Sequence, residues 1–542
     1  MESLKRYANY ASIKILFLTL SSLILFNSCS STDTVKFIAK GITPTDGNAE
    51  ELRKAHDIKG LSIIQQDLLF DFTDSLIIYC ESSVEVHANE DGAQLVAFAL
   101  GPMKSVELIE PIKQVEFLKT PGEIGHSSLL GVRFLAPFKK GEERIFRIKF
   151  SYAQNDELSP ALGLYLPLQI HDEKDVFSGT IIFKTADNYS GQFLEGELVS
   201  FKQDGKTNIF KWKFPALSYP HCTISDKRMF HKEVKTINFY LTCGEESKNN
   251  GDAGLKLVSD VYFFLVELYG KLPNNTLSVY ECEREEGTVR NLGGVIEMKK
   301  NEFTRLNDPW LAGALCHEIA HEWWGRQTYG KEGETDFSEG FAEFSFFYYT
   351  EKTRGVKPLK EIIEEYTNLY LEGTKMPIIK RTDELITKYP IIMRNLLYVM
   401  GEDKFFKMAR LIIERYRGKS VSNAMFQNAC EEVSGQSLDW FFENLFRSSN
   451  DLDFEIQNPQ QTHEESHFVI RFEIYEKLGK FEYQGLVPVS MRTKNGQIIN
   501  KTYRPKEPIV LNTDEEMAEI EIDSDFYIWD IDRTNTEYKF PD

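Results

Sequence analysis

Along the body of this chain the hydrophobic period changes twice. From about residue 60 to 245, short runs of β character recur at Leu76 to His87, Gln94 to Leu100, Arg144 to Tyr152, Phe177 to Lys184 and Thr236 to Thr242. Gly, Pro, Asn and Asp bound these runs and few helical stretches intervene, which predicts an all-β domain. Near 253 the period lengthens. Leu255, Val258, Val261, Leu265 and Leu268 fall at helical spacing and predict an amphipathic helix over 253–269. A strand at Thr276 to Glu281 follows, then a loop with Arg284, Glu285, Glu286 and Gly287, a strand around Val295, and a helix over Leu311 to Trp324. From 339 to about 447 the pattern is mostly helical: Glu339 to Tyr349, Leu359 to Tyr370, Ile391 to Met400, Asp403 to Tyr416, Ser422 to Val433 and Ser437 to Phe446. Beyond 452 β runs return at Phe468 to Tyr475 and Leu486 to Thr493, and Asn495-Gly496 between two of them is a hairpin signal.

A chain of 542 residues is too long for one core. The pattern predicts a multidomain protein, with an N-terminal β domain at 56–245, a mixed and then helical domain at 246–450, and a C-terminal β domain at 451–542. Two segments precede these. Lys5, Arg6 and Lys14 make a basic start to an apolar run from Ile15 to Phe26. That run is shorter than the roughly 20 residues needed to span a bilayer, and 1–29 reads as a secretory signal peptide. Ser28-Cys29 after it resembles a bacterial lipoprotein box, with Phe26 and Asn27 departing from its tighter form. Lipid on Cys29 would anchor the protein to a membrane outside the cytoplasm. Residues 30–55 are polar and read as a tether.

Composition narrows the partners. The formal charge of −20 argues against nucleic acid and against anionic lipid bound through surface charge. The seven cysteines are widely scattered with no C-x-x-C pair, so free buried thiols are expected for most.

The chemistry is concentrated in His317-Glu318-Ile319-Ala320-His321. On a helix, residues four apart share one face, so two imidazoles can meet one metal ion. Glu318, about 100° round the helix from His317, sits near the metal without being needed as a ligand. Two nitrogen ligands and a carboxylate that takes a proton from water activated by the metal are the parts of a zinc peptidase. Cys316 points away from that face and fits the site poorly. Ser338-Glu339-Gly340-Phe341-Ala342-Glu343 opens a second apolar helix. An acid at a helix N-terminus is also favoured by the macrodipole alone.

These motifs, with Gly294-Val295-Ile296-Glu297-Met298 and His321-Glu322-Trp323-Trp324-Gly325, resemble the M1 aminopeptidases, a gluzincin family. The resemblance covers roughly 60 to 540 and is strongest over 253–447. It implies a thermolysin-like zinc peptidase domain between two β domains, and one Zn2+ per chain on His317, His321 and Glu339. The loop from His321 to Glu339 is one residue shorter than the family's. It further implies Glu318 as general base, and Glu297, with Gly294 beside it, as the anchor for a peptide's α-ammonium. Ile296 stands where the family has Met, and Met298 where it has Asn. Glu343, one turn after Glu339, is open to two readings: support for a ligand histidine, or a surface acid. The family's oxyanion-stabilising tyrosine has no counterpart in register. Ile386 fills that slot, leaving Tyr389 or another tyrosine for the role. Phe341, Phe344, Phe346, Phe347, Tyr348 and Tyr349 read as core packing.

The resulting expectation is an exported zinc aminopeptidase acting on peptides. A gluzincin endopeptidase, and a zinc-retaining scaffold that binds peptides or a surface partner, stand as alternatives.

Overall fold

The computed structural model describes residues 41–541, except 58–59, 74–76, 100–104, 122–128, 154–176, 188, 194–195, 218–221, 226–227, 274, 283–288, 292–294, 332–333, 335–336 and 374–386. The expected signal peptide, Cys29, Gly294, Ile386 and the 284–287 loop lie outside the described residues.

Alternation builds the N-terminal part. In the strand Leu61–Asp71 the apolar positions face one side, and a bulge between Ile63 and Gln65 resets the phase so that Leu68 and Phe70 stay inward. Seven strands form one sheet in the order Glu197–Asp204, Thr207–Leu217, Phe177–Ala186, Leu61–Asp71, Ile77–Ala88, Glu143–Ala153, Ser105–Glu110. A second sheet, Thr45–Asp46, Val115–Lys119, Leu129–Phe134 and Leu95–Ala99, shares its core, which is built on Phe70, Phe146, Phe150, Val132 and Trp212.

The tether expected over 30–55 requires correction over its described part. Thr45–Asp46 pairs with Leu118 and Lys119, and a helix α1, Ala49–Asp57, follows. Asn48 caps it, its Oδ1 accepting from the amides of Glu50 and Glu51. Leu52 is buried against Leu118 and Ala97. Composition is polar here, but one apolar stripe on a short helix is enough to dock it.

The boundary expected at 245–246 also shifts. A five-stranded mixed sheet runs Arg228–Val234, Ile237–Cys243, Thr276–Cys282, Val295–Lys299, Val289–Asn291. Its first two strands therefore precede the expected boundary. The change of period at 253 marks the first long helix, whereas sheet membership is decided by pairing with strands more than thirty residues away. The three middle strands are parallel, and helix α2, Gly251–Tyr269, makes one crossover between them.

Helices then dominate: α3, Pro309–Ala320; α4, Phe337–Arg354; α5, Val356–Glu372; α6, Tyr389–Met400; α7, Glu402–Arg415; and α8, Asn423–Ser434. Among the described residues no helix is long and apolar enough to cross a membrane. The C-terminal part is two antiparallel sheets: Phe454–Glu464, His467–Glu476 and Ile509–Thr513; and Ile498–Tyr503, Val487–Thr493, Met517–Ile522 and Glu537–Lys539. Its apolar core is continuous with that of the helices. Two buried cations on α6 and just before it key the parts together. Arg394 donates to Glu351 and to the carbonyls of Asp525 and Phe526. Lys388 donates to Asp451, which also accepts from Tyr370 and Trp529. Breaking one partner would strand a buried charge, so these pairs fix which surfaces meet. Cys80, Cys243, Cys282, Cys316 and Cys430 are buried.

Candidate metal centre

Helix α3 starts sharply. Asp308 accepts from the amide of Trp310, and Pro309 opens the first turn, where its missing N–H costs nothing. Twelve residues later the helix ends, so His317 and Glu318 lie in its last turn and His321 at its C-cap. Helix α4 crosses it closely. A Cβ on Gly313 would lie 2.2 Å from the Phe346 ring, so glycine permits the approach that brings Glu339 to the histidines.

The three donors converge. His317 Nε2 and His321 Nε2 are 3.2 Å apart, and Glu339 places Oε2 3.5 Å from the first and Oε1 3.9 Å from the second. Zinc bonds of about 2.0–2.1 Å in a tetrahedron separate neighbouring ligand atoms by about 3.3 Å, so the set fits that ion. Both rings are turned correctly. His317 Nδ1 meets Glu343 Oε2 at 2.6 Å, and His321 Nδ1 meets the Trp324 carbonyl at 3.1 Å. A carboxylate and a carbonyl accept, so each Nδ1 carries hydrogen and each Nε2 is directed at the shared point.

Charge points the same way. Burial opposes a charged imidazole at His317, but Glu339, Glu343 and Glu318 outweigh it and raise its pKa to about 10. Three carboxylates around two imidazoles favour a cation at their centre. His317 is buried while His321 and Glu339 are partly open, so the centre faces solvent on one side. No further His, Cys, Asp or Glu joins the group among the described residues. Cys316 is turned away, its Sγ 3.4 Å from the Ser345 carbonyl, and burial pushes its thiol well above the usual range.

Glu343 is fully buried on α4 and, besides His317, accepts from the Tyr366 hydroxyl of α5 at 2.5 Å. Of its two readings, the surface acid is therefore excluded. The aromatic run on α4 lines the same helix interface. Phe341 stacks on Trp324 at 3.7 Å, and Phe344, Phe346, Phe347 and Tyr348 are buried. Tyr389 opens α6 with its ring pressed on Gly340, where a Cβ would lie only 1.5 Å away. It is thus buried beside the residue that follows Glu339.

Across the site stands the hairpin of Val289–Asn291 and Val295–Lys299. The backbone amide of Asn291 donates to Glu318 Oε2 at 2.7 Å, and its side chain donates to the Glu318 carbonyl and to Glu322 Oε1. Glu297 faces Arg290 across the hairpin. The Nε and Nη2 of Arg290 both donate to Glu297 Oε2, at 3.1 and 2.5 Å. Glu297 is thus neither a solvated acid nor an isolated one. Arg290, Asn291 and Tyr366 were not singled out from the sequence. Each acts through a pairing that no local spacing announces; only the nearness of Arg290 and Asn291 in sequence to the Gly293-Gly294 pair could have drawn notice.

No protein-family model matches the chain, and a search of curated proteins finds no match to it.

Proposed function

We propose that this chain is a zinc-dependent aminopeptidase of M1 type that removes residues from peptide N-termini, acting outside the cytoplasm from a lipid anchor on Cys29. The observation that carries the reading is the convergence of His317, His321 and Glu339 with a second carboxylate, Glu318, fixed alongside by the Asn291 amide. His317, His321 and Glu339 would hold the metal. Bound zinc supplies Lewis acidity to the scissile carbonyl and acidifies water.

The chain's own residues do the rest. Glu318 takes the proton of the attacking water on its carboxylate and delivers it to the nitrogen of the leaving amine. The Asn291 amide holds that carboxylate in one orientation, which preserves its reach during the transfer. Glu343, backed by Tyr366, holds the His317 ring by Nδ1. Glu297 holds the substrate's α-ammonium, which sets the cut one residue from the N-terminus.

A second reading, endopeptidase action, draws on the Arg290–Glu297 pair, because a carboxylate already matched by a guanidinium counts an ammonium less strictly. Aminoacyl arylamides with and without an N-acetyl cap separate the two. The aminopeptidase reading expects cleavage of free amines only, and equal cleavage of capped peptides favours the endopeptidase. In either case Glu318→Gln should retain zinc and lose about 10²–10⁴ in turnover. Near-native turnover in that variant would remove Glu318 as the base.

A further inference from the structure

The Arg290–Glu297 pair is lopsided. The Glu297 side chain is 6% exposed, whereas that of Arg290 is 41% exposed. What the hairpin offers to an incoming molecule is therefore a guanidinium on a buried carboxylate footing. Arg290 also has donors to spare. An arginine carries five N–H groups in a planar fork, and two of its three nitrogens serve Glu297. Its Nη1 makes no hydrogen bond among the described residues.

Its place in the chain puts this cation next to the residue that holds Glu318. Arg290 directly precedes Asn291, whose amide holds Glu318 at 2.7 Å. Successive Cα atoms are about 3.8 Å apart, so the fork is rooted one residue from the amide that holds Glu318. Both residues lie on Val289–Asn291, the last strand of the sheet among the described residues.

Resting on the aminopeptidase reading above, we infer that Arg290 is a specificity-determining residue that selects peptides whose first residue is Asp or Glu. Such a residue carries an ammonium and a side-chain carboxylate close together. Glu297 and Arg290 present the complementary anion and cation side by side. A guanidinium binds a carboxylate through paired, charge-assisted hydrogen bonds that a neutral or basic side chain cannot make. The overall charge of −20 opposes acidic substrates at long range. At physiological salt that field is screened beyond about 8 Å, so the contact with Arg290 decides inside the cleft.

The test compares zinc-loaded wild type with Arg290→Gln on α-glutamyl, α-aspartyl, leucyl and lysyl arylamides. Wild type should favour the two acidic substrates in kcat/KM. Arg290→Gln should lower their kcat/KM about 10- to 100-fold relative to that of the leucyl substrate. A wild-type preference for leucyl or lysyl substrates, or an equal loss on all four, overturns the assignment while leaving the aminopeptidase standing. Should no arylamide be cleaved, the aminopeptidase reading falls, and Arg290 is judged by binding. Calorimetry should then give tighter binding of glutamyl hydroxamate than of leucyl hydroxamate, with the difference erased in Arg290→Gln. Equal binding of the two by wild type would overturn it.

Discussion

The two walls of the candidate site are made differently. One is a pair of crossed helices, α3 and α4, whose functional groups are locked from behind: His317 by Glu343, and Glu343 by Tyr366, all three buried. The other is an edge hairpin, where Arg290 locks Glu297 from the side and the Asn291 amide reaches across to hold Glu318 of α3. A metal needs donors fixed to within a few tenths of an ångström, and a buried helix pair provides that. A substrate needs access, and an edge strand with one open side provides it. On the proposed function, the contrast would give metal affinity to the helices and substrate choice to the hairpin.

The largest expected effect tests that division directly. His321→Ala should take the protein from about one zinc per chain to essentially none by elemental analysis, since two donors cannot hold the ion. Glu297→Ala, on the other wall, should keep its zinc and lose mainly affinity for free-amine substrates. Equal zinc in His321→Ala and wild type would dissolve the metal assignment. Loss of zinc in Glu297→Ala would show that the walls are not separable.

A smaller effect is expected one layer back. Glu343→Ala leaves all three ligands but removes the group that orients the His317 ring. Zinc affinity, read by competition with a chromophoric chelator, should fall about 10- to 100-fold. An unchanged affinity would mean that packing alone, with Phe341, Trp324 and Tyr389 around the helices, holds the ring in place.

The walls also differ in how far they could be read in advance. The spacing of His317 and His321, and the helix opening near Glu339, are local facts. One helical turn brings the first two together wherever that helix forms. Helix limits came close for the same reason, with 253–269 expected and Gly251–Tyr269 observed. The hairpin depends on register. Arg290 meets Glu297 because the antiparallel register of the two strands sets those residues opposite each other, and neither residue's type reveals this. Asn291 was hidden more deeply, because its backbone amide rather than its side chain holds Glu318 Oε2. The docking of α1, and the recruitment of Arg228–Val234 and Ile237–Cys243 into the five-stranded mixed sheet, were hidden likewise. Both are decided by partners distant in sequence, while composition and period are read within a short window. Glu343 lies between these cases. Its i+4 relation to Glu339 was visible, but its burial depends on Tyr366 from another helix.

Tyr366 gives the finest test of the helical wall. Its hydroxyl donates to Glu343 Oε1 across buried space, and Glu343 passes the constraint to His317. Burial, and then the neighbouring Glu343 carboxylate, push its phenol well above the usual range, so it remains a hydrogen-bond donor wherever the fold persists. Tyr366→Phe keeps the ring and its contact with Phe347, whose centroid is 5.2 Å away, and removes only the O–H. A buried carboxylate that loses one donor costs about 1–3 kcal/mol, which should appear as a lowered unfolding midpoint. Glu343 keeps its bond to His317, so zinc affinity should fall by less than in Glu343→Ala. A loss as large as that of Glu343→Ala would make Tyr366, rather than the carboxylate it touches, the group that sets the histidine. No change in either midpoint or affinity would place the end of the supporting chain at Glu343.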